Sequence, residues 1–241
     1  MRILVLSDVH ANLTALQAVI TAAGSVDAAW CLGDVVGYGP DPNECIQLIQ
    51  TLPNLRCLVG NHDAAALGQI DLESFNREAR ESIRWLQSIL TPQNREFLQS
   101  LPDKIVEGQV TLAHGSPRNP VWEYLLDPFT AAENFDNFET PFCFVGHTHL
   151  PLAYIYAQDG QVERQAIEPG ETLQLTDRAI LNPGSTGQPR DHDPRAAYAI
   201  FDDQRNTWQA YRAAYDIKSV QLRIYHAGLP SRHAMRLIQG W

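Results

Sequence analysis

The chain begins with an apolar run, Ile3-Leu4-Val5-Leu6, that predicts a buried strand over Arg2–Ser7. Leu13, Leu16, Val19 and Ile20 then recur at helical spacing, so Asn12–Ala23 reads as a helix that Asn12 caps or starts. Ala28–Leu32 reads as a second strand, Pro42–Leu52 as a helix with proline in its first turn, and Leu55–Val59 as a third strand. Turn-rich Gly37-Tyr38-Gly39-Pro40-Asp41-Pro42 lies between them. A β-α-β-α-β order requires parallel pairing through right-handed crossovers.

The period changes at about Ile70. Phe75, Ala79, Ile83 and Leu86 share one helical face, and Phe97, Leu98 and Leu101 mark a second helix, so residues 70–101 read as a helical insertion. Strand-like runs follow at Val110–Ala113, Phe142–Val145, Leu152–Ala157, Val162–Ala166, Ala179–Leu181, Ala197–Asp202 and Trp208–Tyr211. An amphipathic helix over Ile217–His226 precedes a short basic tail ending at Trp241. Neither a low-complexity linker nor an internal repeat breaks this order, and residues 1–241 read as a single domain.

Composition narrows the classes. A 44% hydrophobic and 19% charged chain is ordinary for a globular protein. The first apolar run is shorter than the roughly 7–15 residues of a secretory core, and no run approaches the roughly 20 that cross a bilayer. Cys31, Cys45, Cys57 and Cys143 form no CxxC pair and read as buried reduced thiols, which points to the cytoplasm. A net charge of −10 opposes broad attraction to nucleic-acid polymers or anionic lipid. A small anionic substrate stays open, because bound divalent cations would reverse the local field.

The chemistry is concentrated where the apolar runs end. The first strand ends in Asp8-Val9-His10, the second in Gly33-Asp34 and the third in Gly60-Asn61-His62-Asp63. Val110–Ala113 ends in His114-Gly115, and Phe142–Val145 in Gly146-His147-Thr148-His149. Ligands gather outside the carboxyl ends of strands in open α/β sheets, so these five loops should converge. Residues two apart on an extended backbone project to one side, which would pair Asp8 with His10 and His147 with His149. Five of the eight histidines fall in these loops, a concentration of polar groups that only a ligand would satisfy. A nitrogen and oxygen donor set without thiolate suits Mn, Fe, Zn, Ni or Co better than Ca or Cu(I), and several imidazoles argue against Mg.

Taken in order, these five blocks resemble those of the calcineurin-like metallophosphoesterases, over roughly Met1 to Asp202. Gly37–Pro42 and Asn182-Pro183-Gly184-Ser185 are similar to a bacterial and archaeal phosphodiesterase-like branch of that superfamily. The resemblance implies a four-layer α/β-β/α sandwich, two mixed β-sheets flanked by helices. It also implies two divalent transition-metal ions, one held by Asp8, His10, Asp34 and His149, the other by Asp34, Asn61, His114 and His147. Cations about 3.5–4 Å apart would activate a hydroxide and clamp the phosphoryl oxygens for in-line attack. His62 would then stabilise phosphoryl charge or protonate the leaving oxygen, with Asp63 orienting its ring.

Other candidates carry plainer readings beside the functional one. Asn182–Ser185 fits a type II turn as well as a loop offering Ser185 to phosphate. Arg190 either grips a phosphate oxygen or belongs to a solvated charged loop, and Tyr38 either borders the pocket or packs. Asn76, Arg77 and Arg80, at the start of the first inserted helix, are placed to face the substrate or to cover core. The expected activity is metal-dependent hydrolysis of a phosphate ester, a phosphodiester or nucleotide-like small molecule. The alternatives are a non-catalytic scaffold of the same fold, as in a retromer subunit similar to this family, and a nuclease. Keeping His62 favours the enzyme, and the acidic chain disfavours the nuclease.

Overall fold

The computed structural model describes residues Met1–Trp241. The first third holds β1 (Arg2–Leu6), α1 (Leu13–Ala23), β2 (Ala28–Cys31), α2 (Pro42–Gln50), β3 (Arg56–Cys57) and α3 (Asn61–Ala66). After a 3-10 turn at Leu72–Ser74 come α4 (Arg77–Ile89), α5 (Pro92–Gln99), β4 (Lys104–Glu107), β5 (Val110–Ala113) and α6 (Pro128–Asn134). Then follow β6 (Phe142–Phe144), β7 (Pro151–Tyr156), β8 (Val162–Ala166), β9 (Thr172–Gln174) and β10 (Ala179–Pro183). The chain closes with β11 (Ala196–Asp202), β12 (Thr207–Ala213), α7 (Ile217–His226) and α8 (Ser231–Gln239).

Two six-stranded mixed sheets result, ordered β3-β2-β1-β11-β12-β9 and β4-β5-β6-β10-β7-β8. β1, β2 and β3 are parallel, as their crossover helices demand, and β11 runs antiparallel beside β1 with Val5 opposite Ala199. The pleat explains the layers. Ile3 and Val5 point between the sheets and share a core with Leu112, Phe142, Phe144 and Leu181. Leu4 and Leu6 point the other way, onto Leu16, Val19, Ile46 and Ile49 of α1 and α2. On the far side of the second sheet, Cys143, Tyr154 and Ile180 pack with Ala131 and Phe135. Strands buried on both faces read as continuous apolar runs, and helices cover the outer face of each sheet.

Five elements go beyond the sequence expectation, the first being α3 over the Asn61-His62-Asp63 block. β4 and β9 are edge strands whose residues are half-buried or exposed, so antiparallel partners rather than their own pattern define them. The short α6 is capped by Asp127, whose side chain accepts from the Thr130 amide. The expected basic tail is helix α8, which buries His233, Ala234 and Leu237 and packs with Val220 and Ile224 of α7. Arg232 is exposed on this helix, whereas Arg236 is half-buried with Tyr38 and Arg190 among its neighbours. All four cysteines are buried free thiols, and no helix is long and apolar enough to cross a membrane.

Candidate metal centre

The five loops do converge, through a different local geometry from the one expected. Asp8, His10, Asp34, His147 and His149 all take positive φ, between 47° and 64°, so none continues an extended strand. Left-handed backbone costs a non-glycine residue about 1 kcal/mol or more and persists only where the surroundings impose it. Here the first two loops are zipped together by amides of Asp8, His10 and Ala11 donating to carbonyls of Gly33, Asp34 and Val35, at 2.9–3.1 Å. The third loop presses close enough that a Cβ on Gly60 would overlap the Asp34 carboxylate, so that contact requires glycine. The Asp8 carboxylate accepts from the His147 amide at 3.1 Å, tying the fifth loop to the first.

The same turns separate His147 from His149. His149 joins Asp8 and His10, whereas His147 joins Asp34 and His114. In the first group His149 Nε2 lies 3.3 Å from Asp8 Oδ1 and 3.2 Å from His10 Nε2. In the second, His114 Nε2 lies 3.4 Å from Asp34 Oδ2, 3.1 Å from His147 Nδ1 and 3.2 Å from Asn61 Oδ1. Asp34 Oδ2 is also 3.7 Å from His10 Nε2, so one carboxylate touches both groups. None of these seven side chains is more than 3% exposed.

This donor set fits divalent cations. His10, His114 and His149 each direct Nδ1 at a backbone carbonyl, of Val36, Leu32 and Gln188 respectively, at 2.5–3.1 Å. With the proton on Nδ1, the Nε2 lone pairs of His10 and His149 point inward and face one another. Asp8 Oδ1 is buried with no hydrogen-bond donor. Opposed lone pairs beside an orphaned carboxylate oxygen are unfavourable until a cation joins them. Burial holds His10 and His149 well below the usual histidine range, and His147 at about 2, in the neutral form that ligates. At His114 burial opposes protonation but the Asp34 carboxylate outweighs it, raising the pKa to about 9.

His62 stands beside these groups. Its amide donates to Asp34 Oδ1 at 2.9 Å, its ring meets His10 edge-on at 5.0 Å, and its buried Nδ1 has no partner. Asp63 does not orient that ring. Its carboxylate accepts instead from the amides of Gly60, Val36 and Val35 at 2.9, 3.0 and 3.3 Å, capping α3 and fastening two loops. Leaving buried donors unpaired costs about 1–3 kcal/mol each, so Asp63→Ala should lower unfolding stability by about 3 kcal/mol in urea titrations. Unchanged stability with lost activity would return Asp63 to the chemistry.

The remaining candidates divide. Ser185 is fully buried; its hydroxyl donates to the Asp8 carbonyl and accepts from the Gln188 amide, both at 2.8 Å, so it braces a loop rather than meeting phosphate. Asn182 donates to Gly146 O and Thr148 Oγ1, holding the histidine loop from behind. Arg80 pairs with Glu73 at 2.6 Å and Arg77 with Glu81 at 2.9 Å, and neither lines the recess beside the centre. Asn76 does line it while capping α4, and Tyr38 both borders the recess and packs on His10 and His62. Half-buried Arg190 donates to Gln188 Oε1 at 3.3 Å, and its positive charge depresses His10, His62, His147 and His149.

Residues 1–206 match the model of the calcineurin-like phosphoesterase superfamily domain. The chain belongs to that superfamily. A metallophosphoesterase structure from Sphaerobacter thermophilus is 45% identical, with a TM-score of 0.92 over 100% of this chain and 99% of that one. An uncharacterized protein of Methanocaldococcus jannaschii is 37% identical over 99% of this chain and 98% of its own. A hypothetical protein from Pyrococcus horikoshii shares the fold, with a TM-score of 0.82 at 21% identity over 100% and 98% of the two chains.

Within this phosphoesterase framework, sequence reasoning passed over Trp122 and Tyr124. Tyr124 stacks on His147 with ring centroids 3.8 Å apart, and Trp122 lies 6.2 Å from the same ring. The available signal was two aromatics in Val121-Trp122-Glu123-Tyr124, soon after the His114-Gly115 block and outside any strand or helix pattern. His233 of α8 was also missed; it packs on Tyr38 at 4.9 Å.

Proposed function

We propose that this chain hydrolyses a phosphate ester, a phosphodiester or nucleotide-like small molecule, with two divalent transition-metal ions. The supporting observation is the pair of buried donor groups that meet at the Asp34 carboxylate. Asp8, His10, Asp34 and His149 would hold one ion, and Asp34, Asn61, His114 and His147 the other. When bound, such ions supply Lewis acidity and lower the pKa of the attacking water. The protein's own residues do the rest. Neutral Asn61 adds an oxygen donor without adding charge. Arg190 faces the centre and offers its guanidinium to a phosphoryl oxygen. His62 lies where it can donate a proton to phosphoryl or leaving oxygen.

We read residues 1–241 as one unit whose 70–101 helices wall the substrate side, and the free buried thiols support a cytoplasmic location. Retention of His62 speaks against a scaffold, and the −10 charge against a nuclease. Chelator-treated protein should be inactive on phosphomonoesters, phosphodiesters, cyclic nucleotides and dinucleoside polyphosphates. Turnover of at least one class should return with Mn, Fe, Zn, Ni or Co. Fully loaded protein inert across that panel would leave the scaffold reading in its place.

A further inference from the structure

Beside the donor groups lies a recess of about 370 Å³, within the usual size range of small-molecule pockets. His62 and Asn61 form its floor, which places it on the side where a leaving group would depart. Its walls are aromatic and come from three separate segments. Tyr38 belongs to the loop after β2, Phe75 to the turn before α4, and Trp122 and Tyr124 to the loop after β5. The rings form a continuous series, with Tyr38–His62 at 4.4 Å, His62–Phe75 at 5.1 Å and Phe75–Trp122 at 5.3 Å. Tyr124 carries it to the far side of the centre, stacked on His147 yet 47% exposed. Tyr38 and Phe75 are largely covered, packed with Ala65, Ala79 and Ile83, and show only an edge to the recess, whereas Tyr124 is open to it.

The loop carrying Trp122 and Tyr124 is fixed in place. Between them Glu123 accepts from Ser116 Oγ at 2.6 Å and Asn134 Nδ2 at 2.9 Å, and pairs with Arg118. The walls are thus preformed. No Asp, Glu, Lys or Arg lines the recess, so it suits an uncharged occupant. Its polar edge includes Asn76, whose Oδ1 is committed to the Ala79 amide, leaving the side-chain NH2 as donor to a ligand acceptor. A lone phenyl ring would leave much of the volume to water, whereas a base with its ribose fills more of it. A phosphorylated peptide would bring flanking charges that nothing here would pair.

We infer that this recess binds the leaving group of the substrate as a nucleoside, its base stacked on Trp122 and Phe75, an assignment that rests on the phosphoesterase reading above. Stacking on aromatic side chains is sequence-tolerant, so the recess selects a planar base more than one particular base.

The test compares matched esters with metal-loaded protein. Adenosine 5′-monophosphate and ribose 5-phosphate leave through the same primary oxygen and differ only in the base. Their methyl diesters form the second pair, and nitrophenyl mono- and diesters report competence in hydrolysis. In whichever pair is turned over, the base should raise kcat/KM by about 10-fold or more. Trp122→Leu and Phe75→Leu should each cost the adenosine ester several-fold more than the ribose ester, with metal content and melting temperature checked alongside. Nitrophenyl turnover without base preference, or without turnover of any of the four sugar esters, overturns the recess assignment and leaves the phosphoesterase reading standing. A base preference that both variants leave intact also overturns it. Failure on every ester, with cyclic nucleotides and dinucleoside polyphosphates also inert, overturns the phosphoesterase reading itself.

Discussion

Asp34→Ala should yield a folded protein that holds neither metal ion tightly and has lost phosphoesterase turnover by about 10³-fold or more. The scale follows from milder lesions: removing a group that only hydrogen-bonds a ligand typically costs about 10–100-fold. Asp34 does more, since its Oδ2 lies 3.4 Å from His114 and 3.7 Å from His10 and is the contact between the two donor groups. Its Oδ1 also accepts the His62 amide at 2.9 Å. Asp34→Asn keeps the shape but loses the charge, and should likewise weaken both sites. His114→Ala is the control, removing a donor from one group and depleting mainly that site. The measurement is metal stoichiometry after dialysis against a weak chelator, alongside turnover. Two tightly held ions per Asp34→Ala chain would remove the bridging assignment.

The parts of this centre that could be read from sequence are those written along a single segment. β1 and β2 announce themselves because strands buried on both faces must be apolar throughout, and the polar residue that ends each run is conspicuous. The grouping came from the family resemblance alone, because strand alternation would have paired His147 with His149. Sending His147 to Asp34 and His149 to Asp8 depends on left-handed turns that amides of one loop impose on another, and no local pattern records those bonds. Asp63 was misread for a similar reason, since two of its three donors come from Val35 and Val36 on a different loop. Its third bond, from the Gly60 amide, is only half of a capping box, because glycine has no side chain to complete the signature. α8 escaped because it is short and carries Arg232 and Arg236 among its few apolar positions, so its own pattern reads as a basic tail until Ala234 and Leu237 are seen packed on Val220 and Ile224 of α7. The aromatic wall joins residues as far apart as Tyr38 and Tyr124, so only the folded chain places them at one recess.

His62→Ala should keep both metal ions and lose turnover by about 10²–10⁴-fold, the usual size of a general acid–base contribution. Metal retention is a real test. His62 comes within ligand reach of His10 and Asp34, so a variant that lost one ion would make it a ligand instead. Where both ions stay, the pattern across leaving groups separates its two roles. Burial pushes the His62 pKa down to about 4, so without substrate the ring is neutral at pH 7. A bound phosphate brings negative charge beside it, which raises that pKa and favours the protonated acid in the complex. As the acid, His62 matters most for a poor leaving group such as a ribose oxygen and little for nitrophenolate, which departs unprotonated. The loss in His62→Ala should then shrink on nitrophenyl esters and stay large on alkyl esters. An equal loss on both would assign His62 to stabilising charge on the phosphoryl oxygens, and unchanged turnover on every ester would end its catalytic role. The structure gives the first pattern a physical basis. The ring sits between the donor groups at His10 and the recess wall at Phe75, 5.0 and 5.1 Å from them, which is where a departing oxygen would need its proton.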